Sequence, residues 1–322
     1  MNDPGATPHV PDQADLVPGA RLRGVTLEGS ALAGARLSGA DLGGARLTGS
    51  VLRGADLSAA NLEEARLGEC DLAAAVLRGA VIRRALLASA CLRGADLRGA
   101  DLTGADLQGA DLVGADLAKA RLVGTNLSGA NLSGACLVAA DLTDATLAGA
   151  ELSGVGASAA IFARADLGGS CCRLGDFSES DFTRARAGDA SFERATLARA
   201  RLVELRAARG VFELADLRGA TLDRCDLADA NLVGVDLTGA RATGCDLRRV
   251  DLYWATLASF DHSECRLEGV RLPEGVQVAF GPLGVKPPAI RPRPLYRSPL
   301  TAEERAALLK AAAAAGEVPS CG

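Results

Sequence analysis

The chain has 322 residues, of which 23% are charged and only 3% are aromatic, and its formal net charge is −5 at pH 7. So few rings exclude a conventional globular core, which uses aromatic side chains as filler, and so mild a charge excludes a partner chosen by net charge alone. The nine cysteines include no CxxC pair, which excludes a zinc finger or a disulfide framework and favours a reduced, cytoplasmic protein.

The N-terminal segment, residues 1–19, contains prolines and aspartates but neither a basic start nor an apolar run. It lacks the features of a signal peptide, and we expect it to be disordered. No apolar stretch approaches the roughly 20 residues that a membrane-spanning helix needs. The sequence therefore indicates no membrane association.

From Leu22 to Leu272 every fifth residue is apolar with few exceptions, and no insertion or deletion breaks this register. Of the 51 positions, 39 are Leu and five are Phe. A small residue, usually Ala, stands two positions before each of them, and Gly is common two positions after. Residues 95–119 give the unit in its clearest form, as ADLRG, ADLTG, ADLQG, ADLVG and ADLAK.

A period of five excludes an α-helix, because each helical residue turns about 100° and the apolar residue would drift by roughly 140° per unit. In an extended segment, residues two apart share a side. The Ala and the Leu of a unit then point inward, and the Asp, Asn or Arg between them points outward. The next two residues must turn the chain, and glycine suits such a corner because it tolerates positive φ. The pattern predicts short strands wound into stacked coils.

Over residues 20–272 this pattern resembles the pentapeptide repeat family, whose motif is A(D/N)LXX. The resemblance implies an all-β fold, a right-handed quadrilateral parallel β-helix with four units per coil. The 51 units would then make about 13 coils, and at ~4.8 Å per coil the rod would be about 60 Å long. Residues 20 apart would stack, which predicts that Phe162 lies against Phe182 and Phe192 against Phe212, with ring stacking in both pairs.

The C-terminal region changes character. Residues 273–300 are rich in proline, which predicts an extended linker or a strap along the rod. Thr301 and Glu304 form a capping box, which predicts a short α-helix over 301–316 that ends at Gly316, followed by the tail 317–322. This helix either caps the rod or forms a homodimer contact.

The sequence offers no catalytic, cofactor-binding or metal-binding residues, and we expect no enzyme activity and no cofactor. His9 and His262 are the two histidines, and the interior that the resemblance implies leaves no cleft in which a catalytic set could lie. Cys225, Cys245 and Cys265 are 20 apart and should form an inward ladder. Their span of about 10 Å is too long for one zinc ion, whose ligands all lie near 2.3 Å, and we interpret them as core filler.

Function is therefore expected at outward positions. Four aspartates of one coil place a carboxylate on each side of the rod, and a fifth begins the next coil. Apolar outward residues surround another coil, and an aromatic pair near the end lies either under the strap or at a partner site. The candidate partner-binding residues are Asp96, Asp101, Asp106, Asp111, Asp116, Val76, Val81, Leu86, Tyr253 and Trp254.

Two functions remain open at this point. The first is a non-catalytic protein-interaction scaffold. The alternative comes from the resemblance: some pentapeptide repeat proteins mimic B-DNA and bind DNA gyrase or topoisomerase IV, which protects these enzymes from quinolones or natural toxins. Residues 20–272 carry 29 basic against 33 acidic side chains, far less charge than a duplex with one charge per about 1.7 Å. No basic face is evident, so direct nucleic-acid binding is not expected.

Overall fold

The structure is a computed structural model that describes residues 16–273. Parallel β-bridges join residues 20 apart along nearly all of this range, from Arg21–Asp41 to Asp251–Arg271. Two segments are long enough to count as strands, β1 (Thr221–Asp223) and β2 (Arg241–Thr243), which pair in parallel. The described part of the chain contains no helix that could cross a membrane. The fold is a parallel β-helix with a coil of twenty residues.

Every unit ends in a tight turn, as in residues 42–45, where the N–H of Ala45 donates to the carbonyl of Leu42 at 2.9 Å. The third residue of this turn, Gly44, has a φ of 64°. Every fifth residue from Gly19 to Gly269 has a positive φ, a region that costs other L-residues roughly 1–2 kcal/mol. Glycine is frequent at the corners for this reason. The first turn spans residues 17–20, so coil geometry begins ahead of the Ala20 boundary expected from the repeat.

Each coil has four sides and four corners, which we name from the first coil. Sides 1 to 4 are the stacks of outward residues that contain Arg21, Thr26, Ala31 and Arg36, each continued at every twentieth residue. Corners A to D follow these sides in order. They are the stacks of positive-φ residues that begin with Gly24, Gly29, Gly34 and Gly39.

The interior is a continuous column of buried Leu and Ala, interrupted by five phenylalanines. Phe162 stacks on Phe182 with ring centroids 4.7 Å apart, and Phe192 stacks on Phe212 at 5.1 Å, each pair within 6° of parallel. Phe177 meets Phe162 and Phe192 edge-on at 5.8 and 5.7 Å. The predicted stacking of both pairs is confirmed, and Phe177 joins the two pairs into one cluster.

Two glycines make room for these rings. Gly175 and Gly210 occupy the inward position that is Ala in most units. A Cβ on Gly175 would lie 2.5 Å from Cε2 of Phe177, and one on Gly210 would lie 2.9 Å from Cε2 of Phe212. A larger central side chain is thus compensated by a smaller one within the same unit, as close packing requires.

Several predictions fall outside the described residues. These are the disordered segment up to residue 15, the Pro-rich linker or strap beyond residue 273, the helix over 301–316 and the tail. They stay predictions, as does the total number of coils. Within the described range, inward side chains become half-buried in the final coil, as at Leu257 and Leu267.

Candidate interaction surface

The outward aspartate of the repeat has a structural role, which appears when the backbone N–H groups of one unit are counted. All five N–H groups of residues 40–44 are hydrogen-bonded. Four donate to backbone carbonyls, and that of Gly43 donates to a side chain. The donor–acceptor pairs are Ala40–Leu37 at 3.1 Å, Asp41–Ala20 at 2.9 Å, Leu42–Asn61 at 2.7 Å, Gly43–Asp41 Oδ1 at 3.1 Å and Gly44–Glu63 at 2.8 Å. Asp or Asn precedes the Leu because its side-chain oxygen accepts the one N–H that no coil can reach.

The five candidate carboxylates are engaged in the same way, and four of them are also paired with arginines. Oδ1 of each accepts the N–H two residues on, as Asp106 does from Gln108 at 3.1 Å. Asp106 also accepts from Nδ2 of Asn126 at 2.9 Å. The ion pairs are Asp96 with Arg78 and with Arg98 at 2.6 Å, Asp101 with Arg83 at 2.7 Å, Asp111 with Arg93 at 3.0 Å and Asp116 with Arg98 at 3.3 Å. Neighbouring arginines thus neutralise four of the five carboxylates.

These contacts lower the pKa of two of the carboxylates, Asp96 and Asp101. Hydrogen bonds from Arg98, supported by Arg78, lower the pKa of Asp96 to about 2. Burial raises the pKa of Asp101, but hydrogen bonds from Thr103 and Arg83 outweigh it, and the net pKa is lowered. Both groups are ionised at neutral pH, with their charge directed into the rod's own surface.

The three apolar candidates lie directly beside three of these aspartates but do not form one patch. Bridges join Val76 to Asp96, Val81 to Asp101 and Leu86 to Asp106, which places the apolar coil next to the aspartate coil. Leu86 is 47% exposed, and the two valines are half-buried. Because the three residues lie on sides 4, 1 and 2, no single flat partner surface could contact all of them.

The aromatic candidates form a small cluster at the C-terminal end. The rings of Tyr253 and Trp254 lie 4.4 Å apart, and the guanidinium of Arg271 lies 4.5 Å from the centre of the Tyr253 ring. Trp254 occupies a corner position with a φ of 60° and is 45% exposed. The strap that could cover this pair lies outside the described residues.

The cysteine ladder faces inward and is hydrogen-bonded. Sγ of Cys245 donates to the carbonyl of Leu222, and Sγ of Cys265 to that of Ala242, both at 3.3 Å. Its hydrogen bond with Cys225 raises the pKa of Cys245 to about 12, so the thiol stays protonated at neutral pH. Between residues 16 and 273 no cluster of side chains could hold a metal ion. His262 is half-buried and stacks on Phe260 at 5.9 Å.

Sequence reasoning missed an apolar patch at corner D, which we define as Val138, Ala139, Ala159 and Ile161. Val138 is 37% exposed and Ile161 is 40% exposed. The two coils are joined at this corner, where the N–H of Ala139 donates to the carbonyl of Ser158 at 3.0 Å. The sequence does contain a signal for this patch, because residues 136–140 and 156–163 carry no charge and the two segments begin twenty residues apart.

The corner-D patch includes two strained alanines. Ala139 and Ala159 have φ values of 55° and 56°, where glycine would be relaxed. Elsewhere non-glycine corners often form ion pairs, as Arg209 does with Asp189, but an alanine gains no such contact. Within residues 16–273 this is the one corner where two successive coils both carry Ala. Lys119 lies one coil before the patch and Glu179 one coil after it, so charged residues border an apolar centre.

Fold and surface together define a β-helical repeat protein whose interior, over the described residues, is filled by side chains. The pentapeptide repeats family model matches residues 19–206 and 212–249 in overlapping segments. This covers most of the chain, and the chain belongs to the pentapeptide repeat family. It matches no curated protein.

Solved pentapeptide repeat proteins resemble parts of the chain. HetL from the cyanobacterium Nostoc sp. strain PCC 7120, involved in heterocyst differentiation regulation, is 31% identical over 73% of this chain and 90% of its own, with a TM-score of 0.23. Rfr23 from Cyanothece 51142 is 24% identical over 29% of this chain and 63% of its own, with a TM-score of 0.28. QnrB1, a plasmid-mediated fluoroquinolone resistance protein, is 15% identical over 52% of this chain and 87% of its own, with a TM-score of 0.38.

Proposed function

We propose that this protein is a non-catalytic interaction scaffold that binds a partner protein through its outer surface, with the corner-D patch as the principal contact. The observation that carries the proposal is the exposure of Val138 and Ile161 on adjacent coils. Contiguous exposed apolar groups with a polar border are typical of protein-binding sites. They contrast here with a surface on which most charges are paired.

The rigidity of the rod supports this role. Three N–H groups of a typical unit bond to neighbouring coils, one closes the turn, and one is held by the outward Asp or Asn. Side chains mounted on such a frame lose little further conformational freedom when a partner binds, and this improves affinity for a given contact area.

The character of the interior supports the absence of catalysis. The central positions are filled by Leu, Ala and Phe, and burial raises the pKa of the Cys172 thiol to about 12. A thiol with so high a pKa is a poor nucleophile at neutral pH.

Mimicry of DNA towards gyrase or topoisomerase IV is the second candidate, and the regular carboxylates of residues 96–116 are the observation that favours it. Pairing of four of the five with arginine weighs against it, because a mimic must present unpaired negative charge to a basic groove. A supercoiling titration of gyrase, with and without a fluoroquinolone, separates the two functions. Inhibition or drug protection that is weakened by replacing Asp101, Asp106 and Asp111 with Lys would favour mimicry.

Site-specific photo-crosslinking in cells that produce the protein tests the scaffold function. We expect a photoreactive residue at Ile161 to give a discrete adduct, and we expect Val138→Glu in the same chain to abolish it. The matched control places the photoreactive residue at Val51, which is 39% exposed on side 3, away from corner D. Equal adducts from both positions, or an adduct that survives Val138→Glu, would exclude the corner-D patch as the contact.

A further inference from the structure

A shallow groove runs along side 2 over three coils, on a different part of the rod from the corner-D patch. It has a volume of about 570 Å³. Its floor has almost no side chains, and charged residues form its two walls. The floor residues are Gly168, Gly188 and Ala208, one wall is formed by Asp166, Arg186 and Arg206, and the other by Gly169, Asp189 and Arg209.

One wall places two like charges on top of each other. A parallel bridge joins Arg186 to Arg206, so their Cα atoms are about one coil spacing, ~4.8 Å, apart. Like charges directly opposite on adjacent strands are destabilising. The other side-2 bridge between two arginines, Arg46–Arg66, differs because Arg46 is held by Glu28 at 2.8 Å.

Each of these arginines has an aspartate across from it on the adjoining coil, Asp166 for Arg186 and Asp226 for Arg206, but neither aspartate holds its guanidinium closely. Arg186 approaches Asp166 only to 3.8 Å, and Arg206 forms no ion pair within residues 16–273. In the opposite wall, Arg209 is fixed by Asp189 with two hydrogen bonds of 2.8 and 2.6 Å. Both Arg186 and Arg206 are exposed. Their donors are therefore available to an anion in the groove.

The groove discriminates between kinds of anion. It combines three arginines with two aspartates, a net charge of +1, and the carboxylates of Asp166 and Asp189 would repel a polyanion such as nucleic acid. One carboxylate between Arg186 and Arg206 would match the charge, since a guanidinium binds a carboxylate through two parallel hydrogen bonds. A floor with almost no side chains lets the main chain of a peptide approach closely.

We propose that the side-2 groove binds an acidic segment of a partner protein, with one Glu or Asp carboxylate held between Arg186 and Arg206. This inference rests on the proposed scaffold function, but it concerns a separate surface. Failure of the corner-D crosslink would leave it standing, and failure of the groove would leave the corner-D contact standing.

The test is an NMR titration of the full-length protein, followed through the backbone amides and the arginine Nε–H groups. The probe is the peptide Gly-Ser-Glu-Leu-Ser-Gly with blocked ends, compared with its Gln twin, inorganic phosphate and a short DNA duplex. We expect saturable shifts at Gly168, Gly188 and Arg206 with the Glu peptide. We expect at least about tenfold weaker binding of the Gln twin, because a charge-assisted pair is lost.

Three variants sharpen the test. Arg206→Glu should abolish the shifts, and Gly188→Leu should abolish them by filling the floor, since Gly188 has ordinary φ and its added Cβ meets only the Ala208 carbonyl at 3.8 Å. Arg66→Glu is the matched control, an exposed arginine on the same side seven coils from Arg206, and it should leave binding unchanged. Unaltered melting temperatures would show that the variants fold.

Specific outcomes would overturn the proposal. Equal binding of the Glu and Gln peptides would show that the arginines do not select a carboxylate. Stronger binding of phosphate or DNA than of the Glu peptide would assign the groove to another anion. Absence of any shift at millimolar peptide, or loss of binding in Arg66→Glu, would remove the groove as a site.

Discussion

The two halves of this β-helix use different residues to build the same coil. From Leu22 to Leu152 every central inward residue is Leu except Ile82, whereas from Ala157 to Leu252 Leu alternates with Phe, Ala and Cys. The corners differ as well: 19 of the 28 from Gly19 to Gly154 are glycine, against five of the 20 from Ala159 to Trp254. The N-terminal half is thus uniform inside and relaxed at its corners, and the C-terminal half is varied inside and strained at its corners.

The backbone tolerates this difference because its spacing is fixed by the hydrogen bonds between coils. Those bonds keep nearly the same lengths in both halves, for example 2.7 Å from Leu102 to Arg121 in the first half and 2.8 Å from Phe182 to Arg201 in the second. Coil spacing is close to the stacking distance of aromatic rings, so rings in register fit without distortion. Interior volume must then be balanced within each coil, and corner strain must be offset at the surface.

The largest effect is expected where the balance of interior volume is broken. Gly175→Ala should destabilise the protein by about 1–3 kcal/mol, because it forces an extra methyl into a filled core, against the ring of Phe177. The free energy of unfolding in urea measures it. The control is Gly68→Ala in the N-terminal half, where the added Cβ meets only the Ala88 carbonyl at 3.6 Å.

Gly175→Ala should cost less when the unit has Leu instead of Phe at its centre, and a double-mutant cycle with Phe177→Leu tests this. Adding Phe177→Leu converts residues 175–179 to the ordinary unit ADLSE, and we expect it to recover part of the loss from Gly175→Ala. A positive coupling energy would confirm that Gly and Phe are matched as a pair. Strictly additive effects would mean that the glycine has another role.

A smaller effect, about 1 kcal/mol per site, is expected at the corners, and it should be the same in both halves. Gly99→Ala and Gly239→Ala should each destabilise the rod by this amount, since φ is 64° and 66° and nothing lies within 4 Å of either added Cβ. Ala74→Gly, at a φ of 55°, should stabilise it. If Gly239→Ala had no effect, the C-terminal half would relax its corners, and the comparison between halves would fail.

Much of this architecture could be predicted from the sequence, because one strict period decides which residues share a side. The period gave the inward column, the stacking of Phe162 on Phe182 and the inward cysteine ladder. These follow from spacing alone, since a side chain in an extended unit can only point in or out.

The surface was harder to predict, because side-chain pairing depends on offsets that appear only once the coil is known. The sequence suggested that Asp96 and Asp101 expose their negative charge to a partner. In the structure, Arg78 and Arg83, 18 residues earlier, reach across one coil and form ion pairs with them. The role of Asp as acceptor for a backbone N–H was also hidden, since it depends on which N–H each coil leaves unbonded. Val138 and Ile161 were missed because they are 23 apart, and only the winding of the coil places them on either side of corner D.

The smallest effect is expected from the charged ladder at corner B of the C-terminal half, formed by Asp189, Arg209, Asp229 and Arg249. Hydrogen bonds from Arg209 and Arg249 hold the pKa values of Asp189 and Asp229 below their ordinary range. A carboxyl whose pKa is depressed by folding adds stability above its unfolded pKa of about 3.9, and this stability is lost as pH falls through the lower folded value.

Arg209→Ala should therefore lower the melting temperature slightly at pH 7, and the difference should shrink as the pH falls from about 5 to about 2. It should also shrink in about 1 M salt, because exposed pairs are screened. Arg206→Ala is the control, since this neighbour has no described ion pair and stacks on Arg186, so its loss should not lower the melting temperature. A difference that persists in acid and in salt would show that the arginine stem acts by packing over the corner, and the strained corners of the C-terminal half would then be supported by apolar contact rather than by charge.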